Sequence, residues 1–195
     1  MTQGDFFKAV IAILESLGID YMVVGSIASA TFGEARFTND IDIVVDLDEG
    51  QVLKLCGAFP KEEYYVSDRA ALEAVRIRRQ FNVIHPASGN KVDFVMARLD
   101  PWGRMQLTRR RKKNILPDCI AYAASPEDII LAKMIFYREG QSEKHTRDIT
   151  GMLKISGEEI DQKYISEWTE RLGLEAIWQA ILARLGQGGS QSEKL

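Results

Sequence analysis

Residues 40–45, Asp-Ile-Asp-Ile-Val-Val, constrain this chain more than any other stretch. Residues 41 and 43–45 are β-branched, and the stretch reads as a buried strand. Two aspartates are set into its start, so the fold must pair that strand in a sheet and still give both carboxylates a place. Asp40 and Asp42 are two residues apart, so their side chains leave the same face, roughly 7 Å apart along the strand. Carboxylates that close raise one another's pKa unless a cation lies between them. Ile41, Ile43, Val44 and Val45 offer nothing polar to share the charge. A hard divalent cation held by oxygen ligands resolves the conflict, and Mg²⁺ on carboxylates plus substrate phosphates is the common case.

Fifteen residues upstream of Asp40, a short apolar run, residues 21–24, ends in Gly25-Ser26. This reads as a strand entering a tight turn and then a short helix over residues 27–32. Such a turn can offer backbone N–H groups and a hydroxyl to a phosphate. A third carboxylate, Asp93, lies in Lys-Val-Asp-Phe-Val-Met, where it is the ionised group of an apolar strand, and paired metals commonly need a third ligand of this kind. Asp46 and Asp48 lie too far along to join Asp42 and mark the strand's exit.

The remaining pattern supports a mixed α/β core. Helices are expected at 6–17, 51–59 and 67–79, the last capped by Ser67. Residues 81–85 and 91–96 flank Pro-Ala-Ser-Gly-Asn and read as a hairpin, with a weaker pair at 113–116 and 119–123. From Ser125 the character changes: Ser-Pro-Glu-Asp has the capping hydroxyl, first-turn proline and acids of a helix start. Helices are expected onward to Leu185, where Leu174, Ile177, Trp178, Ile181, Leu182 and Leu185 form one stripe. The expected organisation is thus an α/β core over residues 1–124, a helical region packed on it over 125–185, and a disordered polar, glycine-rich tail over 186–195.

Composition narrows the setting. A net charge of −3 gives no global attraction to nucleic acid or anionic membrane, so such contacts need a local patch. The one basic cluster is Arg104 with Arg109 to Lys113; a solvated helix end is its commoner meaning, and RNA contact is the other. No apolar run approaches the ~20 residues of a membrane span. The start lacks the pattern of a secretory signal, and Cys56 and Cys119 match no metal-ligand spacing; a cytoplasmic protein with reduced thiols is expected. His85 and His145 have no partners at ligand spacing and read as structural or exposed.

Gly25-Ser26, Asp40-Ile41-Asp42 and the later strand with Asp93 together resemble the signature of the DNA polymerase beta-like nucleotidyltransferase superfamily. Arg36-Phe37-Thr38-Asn39-Asp40-Ile41-Asp42 is similar to its R-x-T-x-D-x-D form, found in small bacterial nucleotidyltransferases that include AbiE-type and related toxin–antitoxin toxins. Lys133 in the helix after Ser125, and Arg147-Asp148, resemble the later helices of that toxin group. The resemblance implies a nucleotidyltransferase fold, a mixed sheet flanked by helices and followed by a helical region. It implies that Asp40, Asp42 and Asp93 hold two Mg²⁺ (or Mn²⁺) ions, with Asp93 helping to deprotonate the acceptor. Gly25 and Ser26 would hold the β- and γ-phosphates of a nucleoside triphosphate, with Thr38 in the same motif. The acceptor hydroxyl would belong to RNA such as a tRNA end, to a protein, or to a small molecule such as an aminoglycoside.

Lys133 also stands out by itself, as an ammonium within Ile-Ile-Leu-Ala-Lys-Met-Ile-Phe. A buried ammonium needs a partner: the triphosphate with Asp148 as resting counter-charge is one reading, a snorkelling stem the other. Arg36 contacts phosphate or pairs with an acid beside the strand. A catalytically silent nucleotide-binding or partner-neutralising module of the same fold is the alternative to the enzyme.

Overall fold

The computed structural model describes residues 1–34, 38 and 40–189. The chain divides into two compact units, residues 1–31 with 36–124, and residues 32–35 with 125–195.

The first unit is built on a seven-stranded mixed sheet. In chain order its elements are α1 (Gln3–Ser16), β1 (Tyr21–Val24), α2 (Gly25–Ala30), β2 (Asp40–Val45), α3 (Glu49–Gly57), β3 (Tyr65–Val66), α4 (Asp68–Ile77), β4 (Gln80–His85), β5 (Asn90–Met96), α5 (Pro101–Arg109), β6 (Arg111–Leu116) and β7 (Cys119–Ala123). The strand order is β3-β4-β5-β2-β1-β7-β6. β2 runs parallel to β5 and β1 parallel to β7, and the other neighbours are antiparallel.

Alternation sorts the central strands into two faces. Ile41, Ile43 and Val45 of β2 and Val92 and Phe94 of β5 are fully buried. That face packs against aromatics: Phe94 lies 6.4 Å from Phe59 and 5.2 Å from Phe81, and Tyr64 bridges Phe59 to Phe6. Each such side chain contributes about 1.5–3 kcal/mol of transfer free energy. A one-residue slip of β2 would turn this apolar set to the other face, which fixes the register and thereby the aspartates.

Local signals account for the helix starts. Thr2 and Asp48 form capping boxes with Asp5 and Gln51, and the Ser67 hydroxyl accepts from the Ala70 N–H. Asp46 pairs with Arg78 at 2.9 Å, so both aspartates after β2 serve its exit. α5 and the two-residue β3 were not expected; α5 starts at an Asp100 cap followed by Pro101, a start signal outweighed by weak apolar periodicity. The basic run differs from its commoner reading: only Arg109 ends a helix, while Arg111, Lys112 and Lys113 lie on β6, an edge of the sheet. A charged edge strand resists pairing with other chains. Cys56 and Cys119 are free and buried. His85 is buried against Tyr64 and Ser88, and His145 stacks on Phe136.

The second unit is helical: α6 (Pro126–Gly140), α7 (Glu143–Ser156), a 3₁₀ turn (Gly157–Glu159), α8 (Gln162–Leu172) and α9 (Glu175–Gly189). Ser125 caps α6, accepting from the Asp128 N–H at 3.2 Å and donating to its carboxylate at 2.8 Å. Asp128 also accepts from the Tyr164 hydroxyl, and Glu127 from the Asp161 N–H, so both buried acids are satisfied. α9 continues to Gly189, so residues 186–189 of the expected tail are helical; no proline stops the helix there. No helix among the described residues is long and apolar enough to cross a membrane.

Candidate active site

The sequence-predicted carboxylates lie at the centre of the first unit's sheet. In the parallel β2–β5 pair Asp42 is opposite Asp93 and Asp40 opposite Lys91, so all four leave the same face. On its other side Asp42 is opposite Val24, the residue before Gly25. Adjacent strands are about 4.8 Å apart, which makes Asp42 and Asp93 lateral neighbours at the C-terminal end of β1.

Gly25 is shaped by this meeting. Its φ is +68°, a left-handed conformation that L side chains rarely adopt. A Cβ built on it would collide with the Asp42 carboxylate, 2.9 Å from the carboxyl carbon and 3.1 Å from Asp42 Cβ. The turn therefore exists in this form because residue 25 has no side chain, and the Asp42 carboxylate sits directly against its backbone. Ser26 is the second residue of α2, half-buried. Thr38 holds the entry to β2: its hydroxyl accepts from the Asp40 N–H at 3.3 Å, and its carbonyl accepts from the Gln3 side chain at 2.6 Å. Its observed contacts position Asp40. Arg36 lies outside the described residues.

Sequence reasoning missed Lys91. Its ammonium stands 2.8 Å from Asp93 Oδ2 and 3.4 Å from Asp40 Oδ1, so it links two of the three carboxylates. The hydrogen bond to Asp93 holds the Lys91 amine above its ordinary pKa, against the opposing effect of burial. Asp93 is 7% exposed, so a counter-charge matters for it more than for the exposed Asp40. The available signal was Lys91-Val-Asp93: two residues apart on one strand, with the same spacing as Asp40 and Asp42. Among the described residues no group of three or more His, Cys, Asp or Glu side chains is gathered so as to hold a metal ion. The expected trio thus shares a face without forming a ready-made cage, and Lys91 pairs with two of its members. The donor set itself, carboxylate oxygens on adjacent strands with one member exposed, has the chemistry that Mg²⁺ takes.

In the second unit Lys133 is 5% exposed and its ammonium lies 2.6 Å from Asp148 Oδ2, joining α6 to α7. The ammonium does not snorkel; it is buried on a carboxylate.

No family model matches the chain, and no curated protein matches it. Solved structures do. The solution structure of the antibiotic-resistance factor ANT(2'')-Ia is 14% identical with a TM-score of 0.52 over 97% of each chain. The lincomycin-bound lincosamide antibiotic adenylyltransferase LnuA is 16% identical with a TM-score of 0.53, over 80% of this chain and 99% of that one. A nucleotidyltransferase-like protein from Paracoccidioides brasiliensis is 23% identical with a TM-score of 0.50, over 77% and 76%. These likenesses establish the fold: a mixed sheet with flanking helices of the nucleotidyltransferase type.

Proposed function

We propose that the chain is a Mg²⁺-dependent nucleotidyltransferase that moves a nucleoside monophosphate from a nucleoside triphosphate to an acceptor hydroxyl. One observation carries the reading: the register sets Asp42 beside Asp93, against the Gly25 turn, with Asp40 on the same face. Asp40, Asp42 and Asp93 would hold the metal, which when bound neutralises charge developing on the phosphates.

The residues divide the work as follows. The Gly25–Ser26 turn, free of a Cβ, lets the triphosphate approach the backbone. Asp93, the buried carboxylate, takes the proton from the acceptor hydroxyl. The acceptor oxygen then bonds to the α-phosphorus as the bond to the β-phosphate oxygen breaks, and pyrophosphate leaves with its charge. Lys91, which pairs with Asp40 and Asp93, would be available to a phosphate oxygen were those carboxylates to hold the metal. The R-x-T-x-D-x-D resemblance supports an RNA end as acceptor and a toxin–antitoxin or phage-defence setting. The likeness to ANT(2'')-Ia and LnuA supports a small-molecule hydroxyl. Lys133 and Asp148 are proposed as the helical unit's contribution to nucleotide binding, Lys133 exchanging its carboxylate for phosphate.

One observation favours a second reading, a silent nucleotide-binding module: Lys91 already compensates Asp40 and Asp93 without metal. Thermal melting with Mg²⁺ and each nucleoside triphosphate, separately and together, separates the two. The enzyme predicts a triphosphate-induced rise that requires Mg²⁺ and is lost in Asp42→Asn. A rise with triphosphate alone, unchanged in Asp42→Asn, supports the silent module.

A further inference from the structure

The second unit carries a cavity of about 280 Å³ whose lining includes neither Lys133 nor Asp148. α7 forms its floor. Glu143, Arg147, Gly151 and Lys154 recur at helical spacing along one stripe, Arg184 of α9 forms a wall, and Glu34 closes a rim. Glu143 is already committed, since its Oε2 accepts from the Thr146 hydroxyl at 2.9 Å and meets Arg184 at 3.4 Å. Arg147 and Lys154 are different: both are exposed, and among the described residues neither is engaged in an ion pair. Between them Gly151 lines the cavity without a side chain, and Glu34 packs beside it, its backbone N 3.6 Å from where a Cβ would stand.

The polar inventory defines what fits. The free donors are the Arg147 guanidinium, suited to bidentate contact with phosphate, and the Lys154 ammonium. Thr150 spends its proton on the Thr146 carbonyl at 2.8 Å, so its oxygen can only accept. Glu34 can likewise only accept when ionised. A bare anion would use the cations and leave both acceptors facing it. A sugar phosphate uses all four: phosphate on Arg147 and Lys154, sugar hydroxyls donating to Thr150 and Glu34.

We propose that this cavity binds a ribose-phosphate unit, of an RNA strand or of a free ribonucleotide. The ribose 2′-hydroxyl supplies a donor that DNA lacks. The site stands whether or not the first unit transfers nucleotides.

The test uses the full chain. Anisotropy of a labelled single-stranded RNA decamer and its DNA counterpart, with titration calorimetry of AMP, is measured on wild type, Arg147→Ala/Lys154→Ala, Arg147→Lys, Glu34→Ala and Asp42→Asn. Melting curves confirm that each is folded. The double variant is expected to lose at least tenfold in affinity, and the salt slope for RNA to fall by about 0.7, as the loss of one single-strand phosphate contact implies. Arg147→Lys should recover part of the loss, Glu34→Ala should narrow the preference for RNA over DNA, and Asp42→Asn should leave the Arg147-dependent signal intact. RNA binding much tighter than AMP makes the strand the source; equal affinities make it the free ribonucleotide. Unchanged RNA and AMP binding in the double variant would overturn the site. DNA bound as tightly as RNA would overturn its ribose specificity, and loss of the Arg147-dependent signal in Asp42→Asn would overturn its independence.

Discussion

Gly25→Ala tests whether the turn and the carboxylate behind it are one device. Two costs follow from the geometry. Placing an L side chain at φ +68° costs about 1–2 kcal/mol. The new methyl also collides with the Asp42 carboxylate, and pushing that side chain off its rotamer costs about 0.5–1.5 kcal/mol. Together the loss is about 1.5–3.5 kcal/mol, a fall in Tm of roughly 3–14 °C for a chain of this length. The two costs separate in a double-mutant cycle with Asp42→Ala. There the carboxyl group is gone and the backbone strain remains, so Gly25→Ala should cost about 1 kcal/mol less than in wild type. Urea unfolding of the four proteins at neutral pH measures the coupling. Additivity within about 0.3 kcal/mol, or a larger loss in the Asp42→Ala background, would refute the claim that the Asp42 carboxylate packs on the Gly25 backbone.

Other outcomes follow from individual residues. Lys133→Met should cost about 3–5 kcal/mol by stranding the Asp148 charge, and most of that should return in Lys133→Met/Asp148→Leu; chemical denaturation of both measures it. Lys91→Met should raise apparent Mg²⁺ affinity in calorimetry, since it removes an ammonium that competes for Asp40 and Asp93, whereas unchanged affinity places the metal elsewhere. Burial pushes the Cys56 thiol up to about 11 from its ordinary value of 9.0. Between those pH values the unfolded chain gives up a proton that the folded one keeps, so stability falls as pH rises through that window. Cys56→Ala should flatten that slope in melts from pH 8.5 to 10.5, whatever its effect on absolute stability.

The strands carrying the site were legible because their physics is local. β-branched alternation fixes residues 40–45 as a strand, and a period of two puts Asp40 and Asp42 on one face before any partner is known. Their meeting with Asp93 depends on register, which is a property of strand pairing that the linear pattern does not encode; the family resemblance supplied it. Lys91 escaped because a lysine at a strand start reads as solvated, and only the β2–β5 pairing brings it to Asp40. The Lys133–Asp148 pair was readable from an ammonium in an apolar helix, which demands a counter-charge. α5 was missed where its apolar periodicity is weak, and the basic run was read as a helix end because charge alone does not distinguish a helix terminus from an edge strand.

The central claim, transfer of a nucleotide by Asp40, Asp42 and Asp93, is tested most directly by following the label of each α-³²P nucleoside triphosphate. The protein, wild type or Asp42→Asn, is incubated with Mg²⁺, total RNA and cell lysate. The account predicts that one triphosphate labels a macromolecule or small acceptor in the wild-type reaction, with pyrophosphate released in equal amount. It predicts a loss of at least a hundredfold in Asp42→Asn, whose fold melts no earlier than wild type without ligand. Label transfer that persists undiminished in Asp42→Asn would contradict the assignment of the site. No transfer from any of the four triphosphates, with triphosphate binding intact, would contradict the reaction.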